Sequence, residues 1–488
     1  MSRTLTNNAN WAYAKEASLA VLPGSPEWRN LQPNSVSEFG AQITTTHRDF
    51  ISKNRQRQKG RVTDLASSVG FDADLTLESF EDFFEGFAFA TRTTAFFQPT
   101  AVTATGYTVA SGGALTQSTL VYVRGLDVAT NNGLKLVGAS STGTEIKVSG
   151  LTAEASPPSN VRLDIAGFRG ASGDLEINSD GNLISTTLDF TTLDITVGQF
   201  IHVGGEATAN QFATSDNNGL ARVVSVDTNL IELDKKATTF ATDAGTSKLI
   251  DVYYGTFVRN VDVDHSDFLV QSYQFEATYT DLGGAGTDEY EYALGNLANE
   301  LTINMESADK ATTSYAFVGT DSQPPSTTRA TGGSSALDPV TQEFFNTSAD
   351  FARLRITDVD ETGLSTDFNT LSISIRNNVT PEKVLGTLGG KYMNHGNFEV
   401  QIEAELLFTD STVATRIRNG TSVTLDVALR NTDGAIVIDV PSLTMGGGEK
   451  GYPANESITI STTAMAEEDE TLGTSLGLST FPFLPDLS

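Results

Sequence analysis

Hydrophobic and polar positions alternate in short runs along this chain. Leu371-Ser372-Ile373-Ser374-Ile375, Phe398-Glu399-Val400-Gln401-Ile402-Glu403, Val423-Thr424-Leu425-Asp426-Val427 and Ser457-Ile458-Thr459-Ile460 each carry an apolar residue at every second place. Side chains of an extended strand point alternately to its two faces, so this period predicts antiparallel sheet with one face in water. Clusters of Gly, Asn and Asp between the runs read as turns. Two stretches carry helical spacing instead. From about Thr76, the residues Phe80, Phe83, Phe84 and Phe87 share one helical face, and Glu78 sits in the first turn, where the helix dipole favours a carboxylate. A second short helix is expected after Ser411, a possible N-cap ahead of Val413 and Ile417.

The texture changes near residue 99. From Pro99 to Leu249 the chain is rich in Gly, Thr and Ala, and two similar units follow each other. The first runs Leu120-Val121-Tyr122-Val123-Arg124-Gly125, then Asn131-Asn132-Gly133-Leu134, then Ile146-Lys147-Val148. The second runs Phe200-Ile201-His202-Val203-Gly204-Gly205, then Asn217-Asn218-Gly219-Leu220, then Ile231-Glu232-Leu233. The Asn-Gly pairs suit hairpin turns that need positive φ. This predicts a tandem pair of small β-modules, 99–186 and 187–249, inserted into a discontinuous β-domain built from 1–98 and 250–488. Such insertions are tolerated where the inserted ends lie close together at an exposed loop.

A chain of 488 residues is too long for one ordinary core, which agrees with several modules. Its 31 basic and 61 acidic residues give a net charge of −30, a field that repels phosphate and disfavours tight nucleic-acid binding. The absence of cysteine excludes disulfides and thiolate metal sites. The N-terminus lacks an apolar h-region and no stretch approaches a membrane span, so a protein made and used in water is expected.

Candidate chemistry is sparse. The four histidines, His47, His202, His265 and His395, have no partner at metal-ligand spacing. The run Gly446-Gly447-Gly448-Glu449-Lys450-Gly451-Tyr452 lacks the Gly-Lys-Ser/Thr ending of a phosphate loop and reads as a flexible connection. Three acidic clusters, Asp262/Asp264/Asp267, Asp358/Asp360/Glu361 and Glu467/Glu468/Asp469/Glu470, miss the spacing of a calcium loop and read as solvated turn carboxylates. No enzyme, cofactor or metal is expected.

One local pattern is unusual. Lys53, Arg55, Arg57, Lys59 and Arg61 occupy every second position, with Arg48 before them. On an extended strand all five would share one face. Three readings stand: a solvated edge that blocks aggregation, an arm docking on an acidic face of a neighbouring copy, or direct DNA binding, which the lack of interleaved aromatics weakens.

The second half carries a recognisable text. Asp350-Phe351-Ala352-Arg353-Leu354-Arg355-Ile356 is followed by Leu364-Ser365-Thr366-Asp367-Phe368 and by Ile375-Arg376-Asn377-Asn378-Val379-Thr380-Pro381-Glu382-Lys383. Leu385-Gly386-Thr387-Leu388-Gly389, Asn394-His395-Gly396-Asn397-Phe398 and Leu407-Phe408-Thr409-Asp410 complete it. With Lys59-Gly60-Arg61-Val62-Thr63-Asp64, the stretch 70–86 and Asp189 to Phe200, this resembles the tail tube proteins of long, non-contractile bacteriophage tails.

The resemblance implies a β-sandwich or barrel core with a flanking helix, in subunits that close into hexameric rings and stack into a tube. It implies a virion tail component made in the bacterial host cytoplasm, with other copies of itself and the tape-measure, tail-terminator and tail-tip proteins as partners. Phage DNA would pass through without specific binding, and no membrane insertion is implied. The hairpin Phe275 to Leu282 with Tyr290 to Leu294, closed by Gly283-Gly284-Ala285-Gly286, is the candidate inner-wall or ring-joining element, with Glu276, Asp281, Asp288, Glu289 and Glu291 as its acids. The insertion is expected on the outside of the tube. The alternatives are another virion part, such as a capsid decoration or tail terminator, or an acidic β-rich carbohydrate-binding or adhesin module.

Overall fold

The computed structural model describes residues 5–51, 53, 56–93, 96–282, 286–330, 342–358, 367–409 and 411–485. Arg55, Gly283, Gly284, Ala285, Asp360, Glu361, Leu364, Ser365, Thr366 and Asp410 of the sequence reading lie outside them, as do the side chains of Glu78, Phe80 and Asp358.

In chain order, the first segment supplies β1 (Ala9–Lys15), β2 (Arg29–Asn30), β3 (Ser35–Thr46), β4 (Arg61–Asp74) and α1 (Leu77–Ala88). There follow β5 (Ala101–Thr103), β6 (Gly106–Thr108), β7 (Thr119–Arg124), β8 (Gly133–Leu136), β9 (Glu145–Lys147), β10 (Arg162–Arg169), β11 (Leu175–Ile177) and β12 (Leu183–Ser185). Next are β13 (Phe200–Val203), β14 (Gly219–Asp227), β15 (Leu230–Asp234) and β16 (Asp251–Tyr253). The last segment begins with β17 (Phe257–Arg259), β18 (Ser272–Tyr279), β19 (Glu289–Glu306), β20 (Thr312–Gly319), β21 (Asp321–Ser326) and β22 (Phe351–Asp358). It ends with β23 (Phe368–Arg376), β24 (Thr380–Glu382), β25 (Tyr392–Asn394), β26 (Glu399–Leu407), α2 (Thr412–Asn419), β27 (Ser422–Asn431), β28 (Gly434–Gly451), β29 (Thr459–Ala466) and β30 (Gly477–Phe481). The protein is mainly β, with two short helices among the described residues.

The core is a sandwich. Its broad sheet runs β3-β4-β20-β19-β23-β26-β29-β28, every pair antiparallel. Two long strands leave it. The first half of β28 pairs with β27 and β30 to form the opposing layer, and the first half of β19 pairs with β18 and β21. The alternation legible in the sequence sorts side chains between core and water: Ile373, Ile375, Val400, Ile402 and Ile460 are buried, whereas Ser372, Ser374 and Glu403 are not. Helix α1 lays Phe83, Phe84 and Phe87 into the same core. The Phe83 ring lies 4.5 Å from Tyr13 and 5.4 Å from Tyr273 and Phe317, contacts worth about 0.5–1.5 kcal/mol each beyond area burial. Helix α2 follows Ser411, but that side chain makes no capping bond. The helix instead ends on Gly420 in the left-handed conformation, whose N–H reaches the carbonyls of Arg416 and Ile417.

The inserted block forms a sheet ordered β11-β12-β15-β14-β13-β16-β10-β7-β8 and a smaller one, β5-β6-β9. One cluster of buried apolar residues spans Val102 to Leu163 and a second spans Phe168 to Tyr254. The two similar units share a geometry. Val123 pairs with Gly133 and Tyr122 with Leu134, just as Val203 pairs with Gly219 and His202 with Leu220. Asn131 and Asn217, both buried, each exchange two hydrogen bonds with one distant backbone residue, Thr152 and Ala241 respectively. Asn132 and Asn218 do the same with Leu126 and Phe212, each six residues earlier. An amide side chain carries both a donor and an acceptor, so it substitutes for a missing ladder partner. These asparagines therefore end 3-10 turns that lead into strands, and do not form the two-residue hairpin turns expected from the sequence.

A second departure concerns the wet face expected of Val423 to Val427. Thr424 and Asp426 are buried, because the inserted sheet lies on that side of β27 and β28. There Leu120, Ala166, Phe200, Leu220 and Tyr253 pack against Ala428, Ala435, Val437 and Phe481.

Candidate functional site

The broad sheet keeps one face in water, and its register lines that face up in rows. Glu300, Arg376 and Glu399 are neighbours on β19, β23 and β26. Asp74, Thr312, Asn304, Ser372, Glu403 and Thr463 form a row across β4, β20, β19, β23, β26 and β29. Glu306, Thr370, Glu405 and Ser461 form the next. The face is made of Ser, Thr, Asn and carboxylates, with Arg376 held 3.0 Å from Glu300 and Lys310 held 2.6 Å from Asp74. Period-2 alternation places these residues, but their assembly into one acidic face needs the strand order, which the sequence does not show.

Neither edge of this sheet carries a further strand among the described residues, although helix α2 lies against the β28 end, with Ile417 beside Gly448. Among the described residues β3 pairs only with β4, and the second half of β28 pairs only with β29 beyond Thr444. The glycine run 446–451 is thus not a flexible connection. It is strand, bulged between Gly447 and Glu449, where Gly447 and Gly448 take φ of +78° and +95° that a side chain would resist.

Among the described residues the basic stripe is not strand before Arg61. Lys53, Arg57 and Lys59 lie exposed in the loop 47–60 that closes the long β3–β4 hairpin, whose last pair is Thr46 with Arg61, and they have no common strand face. In the same loop Phe50 and Ile51 are exposed, with the Arg48 guanidinium 5.0 Å from the Phe50 ring.

The expected acidic hairpin exists as β18 and β19, with Tyr279 opposite Glu289 and Ala277 opposite Glu291. Its acids do different things. Glu276 is fully buried, bound by Arg329 at 2.6 and 3.0 Å and by the Tyr292 hydroxyl at 2.7 Å, so it is no free wall charge. Glu291 accepts from the Tyr279 hydroxyl, Asp288 from the Asp281 N–H, and Asp281 from the Gly286 N–H. The strand also pairs with β1 on its other side, so β18 is not an edge.

Two buried charge networks escaped the sequence reading. On α1 the acids Glu81, Asp82 and Glu85 are buried on the side away from the phenylalanines. Arg92 reaches all three, Arg162 from the inserted β10 holds Glu81, Lys15 holds Glu85, and Arg29 and the Tyr13 hydroxyl hold Asp82. Burial opposes ionisation of Asp82, but Arg29, Lys15 and Arg92 outweigh it and hold the carboxyl well below the usual range. The second network joins insertion to core. Arg222 on β14 bridges Asp234 at 2.7 Å and the buried Asp439 at 2.9 Å, while Arg353 and Arg355 hold Asp426. Asp426 and Asp439 are cross-strand partners, and burial pushes each up to about 6 despite its arginines.

Two of the four histidines are packed within the fold. Burial pushes His202 down to about 3, so it is neutral, and His395 packs between Phe89 and Phe268. Asp469 accepts backbone N–H groups of a turn, and Glu467 accepts from Thr444. No group of three or more His, Asp or Glu among the described residues is arranged to hold a metal, and no described helix is long and apolar enough to cross a membrane.

Residues 236–466, just under half of the chain, match the family model described as phage tail tube protein. The matched segment contains β19, β23, β26 and β29, the middle of the polar-faced sheet. No curated protein matches the chain.

Proposed function

We propose that the chain is the repeating subunit of a tail tube, closing into rings, six copies each as its resemblance implies, that stack into a conduit for phage DNA; the match of residues 236–466 to the phage tail tube family supports this reading. The observation that carries this reading is the eight-strand sheet whose two outer strands, β3 and the end of β28, have no further strand partner among the described residues. An even number of antiparallel strands leaves its two edge strands running in opposite directions. The glycine-lined end of β28 in one copy therefore meets β3 of the next in the antiparallel sense. A head-to-tail contact of this kind uses two different patches, so it closes into a ring when the rotation allows. Edges that would be an aggregation hazard in a monomer become the joint.

In this reading the water-facing rows of the sheet line the lumen. Glu300, Glu306, Glu399, Glu403 and Glu405 then repel the phosphates of passing DNA, in place of the buried Glu276. The inserted block lies against the opposite layer and faces outward. The subunit does no chemistry, takes no cofactor, and meets tape-measure, terminator and tip proteins at the tube's interior and ends. It is synthesised in the host cytoplasm and ends in the virion tail.

Negative-stain images of the purified chain test the proposal. Hollow rods or stacked rings are expected. A compact monomer that persists in light scattering at high concentration overturns it.

A further inference from the structure

A cavity of about 440 Å³ opens where the insertion joins the core. The core walls it with the segment 27–34, the end of β4 and the start of α1, and the insertion with residues 96–98 and 159–162 at its two ends. Its floor is aromatic: Tyr13, Phe71, Phe83 and Tyr315, all buried. The rest of the wall is mostly polar, and its charges are already matched. Arg29 pairs with Glu27 and Asp82, Arg162 with Glu81 and Asp164, and Asp74 with Lys310. What remains is a ring of amides: Asn30, Gln32, Asn34, Gln98, Asn160 and Gln342. The side chains of Gln32 and Asn160 make no hydrogen bond among the described residues, and Asn160 is half-buried. An amide carries a donor and an acceptor side by side, and a half-buried one without a protein partner is satisfied by water or by a ligand. Beside these amides Phe344 keeps 46% of its surface in water.

A concave site with aromatic walls and a few convergent polar groups fixes the chemistry of what fills it. Here the ligand has to be neutral, rich in groups that both donate and accept, and apolar on one face. A pyranose ring has that form, with C–H groups on its face and hydroxyls around its edge. We propose that the cavity binds a neutral sugar, its C–H face on the Phe344 ring and its hydroxyls on the amides of Gln32 and Asn160. The inference goes beyond the tube reading and does not depend on it. Two other ligand classes fit less well. A nucleotide would bring phosphate to a wall where Glu27, Asp74 and Asp82 outnumber Arg29 and Arg162. A peptide adding as a strand needs an open sheet edge, and β4 is paired on both sides. Gln32 belongs to the core and Asn160 to the insertion, so the site is complete only when the insertion is seated.

Saturation-transfer NMR on the full chain tests this with methyl α-glucoside, methyl β-galactoside and N-acetylglucosamine at millimolar concentration, and with adenosine as the control. Transfer to the ring protons of at least one sugar is expected. Phe344→Ala and Asn160→Ala should each weaken that binding by about tenfold, the loss of one ring contact or one hydrogen bond. Leu136→Ala, exposed elsewhere on the insertion, should leave it unchanged. No transfer to any of the three sugars, equal transfer in the wild type and both cavity variants, or stronger transfer to adenosine overturns the inference. Each of these results leaves the tube reading intact, because that reading is judged by rods and rings in micrographs.

Discussion

Asp426 and Asp439 face each other across β27 and β28 beneath the inserted sheet, two carboxylates where apolar residues would pack. They are tolerated because three arginines surround them, and Arg222 is the one that comes from the insertion. Removing one partner of a buried ion pair leaves a charge without compensation, which costs about 3–5 kcal/mol. Arg222→Ala should therefore lower the urea midpoint and expose the insertion to limited proteolysis before the core. Equal loss of both, or of neither, goes against this. The same pair makes stability depend on pH. Burial holds each carboxyl at about 6 when folded, against an ordinary 3.8. The folded state then keeps its proton longer than the unfolded one. The stability this contributes is complete below about pH 4 and is lost as pH rises through about 6, on the order of 2–3 kcal/mol per group. Asp439→Asn cannot titrate and frees Asp426 of its like-charged neighbour. Between pH 4.5 and 7 the wild-type urea midpoint should fall relative to that of the variant. A difference of the opposite sign defeats the assignment. None of this was legible in the sequence, where Asp426 looked like the wet member of an alternating strand. Period 2 says which face a residue takes, but not what covers that face, and Arg222 is 217 residues from Asp439.

At the scale of elements the sequence was more informative. Alternation gave β23 and β26 their inward residues and β29 its Ile460, and the Phe83–Phe84–Phe87 spacing gave α1 its buried stripe, because both signals are local. The basic stripe shows the limit of the same signal: a spacing of two puts residues on one face only where the segment is strand, and Lys53, Arg57 and Lys59 lie between β3 and β4 outside either strand. The acids of α1 were invisible because Arg162 and Lys15 reach them from other elements. One glycine matters to how elements join. Gly167 stands at a bulge in β10 with φ of +144°, and a Cβ there would lie 2.0 Å from the Val252 carbonyl on β16. Strand β16 stitches β10 to β13, so the whole inserted sheet depends on this approach. Gly167→Ala should cost at least about 1–3 kcal/mol in strain and separation, and speed amide hydrogen exchange in β10 and β16 ahead of β23 and β26. Unchanged exchange in β16 rules out this role for the glycine.

For the whole molecule the net charge of −30 asks what the acids are for. Many are spent in pairs: Glu81, Asp82, Glu85, Asp251, Glu276, Asp426 and Asp439 all hold arginines, and none of these is available to a passing polyanion. The carboxylates of the polar-faced sheet differ. Glu306, Glu399, Glu403 and Glu405 stand in water on parallel rows, among Ser, Thr, Asn and Gln side chains and Arg376. If that face lines the lumen, each ring presents the same acids once per subunit, and their repulsion of DNA is screened beyond about 8–10 Å at ordinary salt. Reversing two of them changes the sign of the local field while leaving the core untouched, because both side chains point to water. Glu403→Lys/Glu405→Lys subunits should still assemble, and their tubes should retain short duplex DNA in sedimentation at low salt where wild-type tubes leave it in solution. Retention should fall steeply as salt rises, since each phosphate neutralised releases counterions. Variant tubes that bind DNA no better than wild type would move the acidic face to the outside of the tube, and with it the whole orientation of the subunit.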